Sequence, residues 1–111
     1  MIETKILLKM WSNSVVASGL PNASRPTIYN VPIANRQYLL DDEVDVVEKA
    51  MTELFNDSPE RHSLIKSIYI HEKSCSSIAR LLNCRTDKIT AMLSEAEFFI
   101  RGRVIDYFKG R

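Results

Sequence analysis

Residues 74–99, SCSSIARLLNCRTDKITAMLSEAEFF, constrain this chain more than any other stretch. Ile78, Ala79 and Leu82 share one helical face, Asn83-Cys84-Arg85 interrupts it, and Ile89, Met92, Leu93 and Ala96 then recur at helical period. Two short amphipathic helices separated by so brief a break have the pattern of a helix-turn-helix. Such a pair crosses at close range, so a small residue is expected at the crossing, and Ala79 supplies it. The break needs a residue that tolerates left-handed backbone; Asn83 does, though less easily than glycine would. The second helix would offer Arg85, Thr86, Asp87, Lys88 and Ala91 on its outer, N-terminal side, the end that reaches base edges in a DNA major groove. DNA binding is therefore the first functional expectation, beside plain protein-interaction architecture, which the same tri-helical unit also provides.

With 111 residues the chain is long enough for one domain with a single core. At 45% hydrophobic and 26% charged residues it is neither a disordered nor a membrane chain. No apolar run approaches the length of a membrane span, and MIETKILLKM carries no cleavage signature, so a cytoplasmic protein is expected. The formal charge of +1 conceals a polarised distribution: residues 1–40 carry +3, residues 41–60 carry −7 and residues 61–111 carry +5. A basic C-terminal half with an acidic helix held away from it suits one face on phosphates and another on a protein, although solvated faces alone produce the same runs.

Residues 1–17 are read as an N-terminal helix with Ile6, Leu7, Met10, Trp11 and Val15 on its buried side. Over residues 18–40 the period dissolves. Gly19, Pro21, Pro26 and Pro32 punctuate an arm containing Asn22, Arg25, Tyr29, Asn30, Arg36 and Tyr38, which would lie on nucleic acid or, the preferred reading, pack across the bundle as a belt. Residues 41–57 read as an acidic helix, capped by Asp41 or Asp42, with Glu43 and Asp45 near its positive dipole end and Val44, Val47, Met51, Leu54 and Phe55 forming the apolar stripe. Ser58-Pro59 starts a third helix with Leu64, Ile65, Ile68 and Tyr69 inward. It braces the helix-turn-helix, placed over about residues 60–101. The last helix keeps its apolar period through Phe99, Ile100, Val104, Tyr107 and Phe108, with a bend expected near Gly102. The expected architecture is all-α: one compact five-helix domain, with residues 58–111 forming the helix-turn-helix unit and its long C-terminal helix.

Cys75, Cys84, His62 and His71 lack any paired spacing that would set two zinc ligands side by side, and a disulfide is not expected in a cytoplasmic protein. The acidic run at residues 41–45 has no phosphate-cradling loop to accompany it as a magnesium site. No nucleophile with a base and an orienting group is evident. The chain is read as a non-enzyme without metal or cofactor.

Taken together, Leu7 and Trp11, the start Asp41-Asp42-Glu43-Val44, the brace from Leu64 to Tyr69, SCSSIARLLNC, and Ala96-Glu97-Phe98-Phe99-Ile100-Arg101-Gly102 give a more specific likeness. In their order and spacing these residues resemble the phage antitermination protein Q family, in the form found in phage 21 and phage 82. The helix-turn-helix portion by itself is shared with sigma factor region 4 and many regulators. This chain departs from the pattern with Arg85 where a capping serine is common and Asn83 in place of the turn glycine. The resemblance implies a late-gene antiterminator. Such a protein binds double-stranded DNA at the phage late promoter and loads onto bacterial RNA polymerase holoenzyme, held by sigma at a promoter-proximal pause. It then stays with the elongating enzyme and keeps terminator hairpins from forming in the RNA exit channel. The base-edge candidates are Arg85, Thr86, Asp87, Lys88 and Ala91; the phosphate candidates are Arg80, Arg101 and Arg103. A homodimer on DNA stays open, as do two alternatives: a conventional helix-turn-helix regulator acting only at its promoter, and a polymerase-binding module that touches no DNA.

Overall fold

The computed structural model describes residues 2–18 and 31–109. Among these the chain forms five α-helices and no strand: α1 Thr4–Ala17, α2 Asp41–Asp57, α3 Pro59–Tyr69, α4 Cys75–Leu81 and α5 Thr86–Phe108. The all-helical, five-helix architecture expected from periodicity is the one observed. No helix among the described residues is long and apolar enough to cross a membrane.

The long helix α5 is the spine, and it touches each of the other four. Its stripe of Ile89, Leu93, Ala96, Ile100, Val104 and Phe108 is buried along the whole length, continuously helical through Gly102, where a bend was expected. Phe108 is fully buried in the last turn. Burying such a side chain contributes about 1.5–3 kcal/mol, which fixes the far end of the helix against the core. There the Tyr107 hydroxyl also donates to Asp42 at the start of α2.

Helix α1 buries Leu7, Leu8, Met10 and Trp11. The Trp11 indole N–H donates to Glu48 Oε1 of α2 at 3.1 Å, so the ring packs in the core while its polar edge is satisfied. The inward face is turned relative to the sequence reading: Leu8 is buried and Ile6 is exposed, because Lys5 is drawn to α5, where Lys5 Nζ lies 2.9 Å from Glu97 Oε1. Glu97 is itself buried and also accepts from the Tyr69 hydroxyl. Burial, then the hydrogen bond to Glu97 and its charge, hold the Tyr69 hydroxyl above its ordinary range. One carboxylate thus ties α1, α3 and α5 together.

Helix α2 starts as its acidic first turn demands, but neither Asp41 nor Asp42 is the cap. The N-cap position falls on Leu40, and Glu43 reaches back so that its Oε1 accepts the Leu40 N–H at 2.8 Å. Glu43 is 1% exposed, and Arg36 Nη1 sits 2.7 Å from the same oxygen. A residue expected on the solvated acidic face is therefore the buried half of an ion pair. Phe55, expected in the stripe, is half exposed, and its ring meets His62 edge-on at 5.2 Å. Burial and nearby Lys66 hold His62 below its ordinary pKa, which favours the uncharged ring in that contact.

Residues 31–40 pack as a belt. Ile33 and Leu39 are buried, and Ile33–Asn35 form a short 3-10 turn. The Leu39 N–H donates to Ser14 Oγ at 2.8 Å, Asn13 Nδ2 donates to the Gln37 carbonyl at 2.9 Å, and Arg36 Nε donates to the Val31 carbonyl at 2.7 Å. The part of the arm that includes Asn22, Arg25, Tyr29 and Asn30 lies outside the described residues.

Candidate nucleic-acid interface

Helix α3 begins as Ser58-Pro59 requires, with Ser58 Oγ accepting the Arg61 N–H. It leads into the exposed stretch 71–74, in which Glu72 takes a left-handed φ of 55° and meets Lys9 of α1 at 3.3 Å. Nothing in the sequence marked Glu72 for that conformation. Ser74 then caps α4: its hydroxyl oxygen accepts the Ser77 N–H at 3.1 Å. Helix α4 has only seven residues, and Ile78 and Ala79 are its buried members.

The end of α4 is a Schellman turn built on Asn83, whose φ is 56°. The Asn83 N–H donates to the Arg80 carbonyl at 3.2 Å and the Cys84 N–H donates to the Ala79 carbonyl at 2.9 Å. This left-handed residue is where the sequence reading placed it, and Ala79 is buried where a small side chain was needed. Leu82 is a correction: it was expected on the inward face but is 62% exposed, because α4 closes at Leu81 and the turn swings the next side chain outward. Asn83→Gly is expected to raise stability by about 0.5–1 kcal/mol, since glycine adopts this conformation without strain; Asn83→Val is expected to lower it, both read from denaturant midpoints.

Arg85 is extended (φ −79°, ψ 144°) and stands at the N-cap of α5, where no side chain caps the helix. A guanidinium cannot cap the first turn; the Lys88 N–H donates instead to the Arg85 carbonyl at 3.1 Å, and the positive dipole end of the helix stands beside a cation. The Arg85 and Asp87 side chains are 89% and 91% exposed and only 3.8 Å apart, a weak surface pair. Thr86, Lys88, Ala91 and Arg80 are exposed as well. These six residues form one solvent-facing end of the α4–α5 pair. Beside it opens a cleft of about 610 Å³, with Ile78, Leu81, Leu82 and Met92 on its apolar side and Lys73 and Lys88 at its rim.

The remaining two candidates lie elsewhere. Arg101 is fifteen residues beyond Thr86, about 22 Å along the helix. Arg103 is turned onto α2: its Nε is 2.8 Å from Glu53 Oε2, and its guanidinium lies 4.4 Å from the Phe99 ring centroid. The structure therefore divides the predicted set into a clustered group of six and two outliers, one of them occupied by an internal ion pair.

No curated protein and no solved structure gives a significant match to the chain. The family model described as phage antitermination protein Q matches residues 11–107, from Trp11 in α1 to Tyr107 in the last turn of α5. With nearly the whole helical assembly inside that match, the chain belongs to the phage antitermination protein Q family.

Proposed function

We propose that this protein binds a DNA element at a phage late promoter through the α4–α5 end and loads there onto host RNA polymerase. It then travels with the enzyme in the bacterial cytoplasm and suppresses pausing and termination. The observation that carries the DNA half is the leading turn of α5: without a side-chain cap, flanked by Arg85 and Lys88, and uncovered by the other described residues. Arg80 at the end of α4 would hold phosphate. Arg85, Thr86, Asp87, Lys88 and Ala91 would meet base edges, and each well-made bidentate contact would contribute about 1–3 kcal/mol of discrimination. Arg101 and Arg103 are left out of this interface because of their distance and, for Arg103, its bond to Glu53.

The polymerase half rests on family membership and on the polarised surface. The exposed acidic residues of α2 and the belt 31–40 offer a second face remote in charge from the first. A second reading, a protein-only polymerase-binding module, is favoured by one observation: Leu81 and Leu82 are 76% and 62% exposed beside the apolar cleft at the same end. A transcription template with a late promoter and a distant terminator tests the main reading. Read-through past the terminator is expected only when the promoter element is present in cis. An effect confined to initiation would assign the protein to local regulation, and read-through independent of the element would assign it to the protein-only reading.

A further inference from the structure

The outward face of α5 carries a feature that neither the core nor the proposed DNA contact uses. Phe98 is 74% exposed in the middle of the helix. Gly102 lies one turn later on the same face, and a Cβ placed there would meet nothing within 4 Å. A glycine in a helix interior is unfavourable relative to alanine, and among the described residues no packing neighbour requires one at this position. An exposed ring one turn from a helix position bare of side chain leaves open surface on which another helix can lie.

The residues around Phe98 indicate which helix. Four positions before and after it stand Ser94 and Gly102, both small; three positions before and after stand Glu95 and Arg101, opposite in charge. All four are exposed. Glu95 already accepts from Arg61 yet its side chain remains 54% exposed, and Arg101 makes no ion pair among the described residues. An antiparallel copy of α5 crossing at Phe98 therefore sets each Glu95 opposite the partner's Arg101 and each Ser94 opposite the partner's Gly102, twice over by symmetry. The small pairs allow the two backbones to approach closely, and the charges fix the antiparallel sense. We infer that this face pairs with a second copy of the same chain, through a two-fold contact of α5 on α5 centred on Phe98.

The pairing does not depend on DNA contact. Joined to the DNA reading, it gives a spacing. The leading turn of α5 lies about 16 Å from Phe98, so at ordinary crossing angles the two leading turns stand about 30–34 Å apart. That is close to the separation of successive major grooves on one side of a duplex.

Sedimentation equilibrium across the micromolar range, without DNA, tests the contact. Wild type is expected to show a concentration-dependent monomer–dimer equilibrium. Phe98→Glu, Glu95→Arg and Arg101→Glu are each expected to weaken it at least tenfold, and the double swap Glu95→Arg/Arg101→Glu to restore it. Gly102→Leu is expected to be monomeric while melting no lower than wild type, because the space around a Cβ at this position is open in the single chain and leucine favours helix. A wild type that stays monomeric throughout overturns the inference, as does a dimer that survives Phe98→Glu and Gly102→Leu. A charge swap that fails to restore pairing also overturns it. So does a monomeric wild type whose capture of polymerase is lost on Phe98→Glu, which would assign the face to the enzyme instead.

Discussion

Glu43→Ala is expected to lower the unfolding free energy by about 3–5 kcal/mol, a large share of the margin of a domain this size, read as a shifted urea midpoint. The carboxylate is 1% exposed and the Arg36 side chain 11% exposed, so removing the acid strands a buried cation. It also orphans the Leu40 N–H, which Glu43 Oε1 accepts at 2.8 Å, and with it the turn that starts α2. Arg36 further holds the Val31 carbonyl at 2.7 Å, so loss of its charge partner loosens the belt as a unit. Two variants separate these effects. Arg36→Met/Glu43→Leu is expected to recover part of the loss, since two apolar side chains leave no unpaired charge but still leave the Leu40 N–H unsatisfied. Glu43→Gln should fall between wild type and alanine, keeping the acceptor while losing the charge. A midpoint unchanged in Glu43→Ala would mean that the pair is solvated and that the belt is held by Ile33, Leu39 and the bonds to Ser14 and Asn13.

Why Glu43 escaped sequence reading is instructive. Periodicity identifies apolar faces well: Leu7, Trp11, Val47, Leu54, Ile65, Ile89, Ile100 and Phe108 were all expected inside, and all are. It has no means of recognising a buried acid whose partner comes from an irregular segment such as the one that holds Arg36. The same blindness hid Glu97, although a signal was present. Glu97 sits four residues after Leu93 and three before Ile100, within the apolar stripe of α5, a position a carboxylate occupies only when something donates to it. Helix ends caused two further misses. Leu82 fits the face of α4 only if that helix continues, and Phe55 fits that of α2 only if another element covers its last turn. The left-handed Asn83 was legible because its requirement is local: a short break between two helices leaves few backbone solutions. That Arg80, Arg85, Thr86, Asp87, Lys88 and Ala91, six of the eight candidates, stand exposed at one end of the α4–α5 pair was legible for the same reason, since they fall at the end of one helix and the start of the next. The fate of Arg103 depended on Glu53, fifty residues earlier in the chain, and no spacing rule reaches that far.

Arg85→Ala/Lys88→Ala is expected to weaken binding to late-promoter DNA by well over tenfold while leaving the far-UV spectrum and the thermal midpoint unchanged. Each side chain is exposed, and among the described residues the one ion pair or hydrogen bond that either makes is the 3.8 Å approach of Arg85 to Asp87, so neither supports the fold. If Arg85 reads a guanine edge, its loss costs about 1–3 kcal/mol and relaxes the sequence preference at one position. If it holds phosphate instead, affinity falls equally on all sequences and the salt dependence of binding becomes shallower by about one counterion. Arg85→Lys distinguishes these, because lysine keeps the charge but not the two-pronged geometry. Asp87 provides the complementary measurement. On the proposed DNA reading Asp87, 91% exposed, repels the duplex unless it accepts from a cytosine amine; Asp87→Ala then either tightens binding to every sequence or abolishes the preference at one base pair. Lys49→Ala, on the exposed side of α2, is the control and is expected to change nothing in a gel shift. Should the double variant bind as wild type does, the leading turn of α5 is not the reading head. The exposed Leu81 and Leu82 beside it would then mark this end of the molecule as a surface for protein.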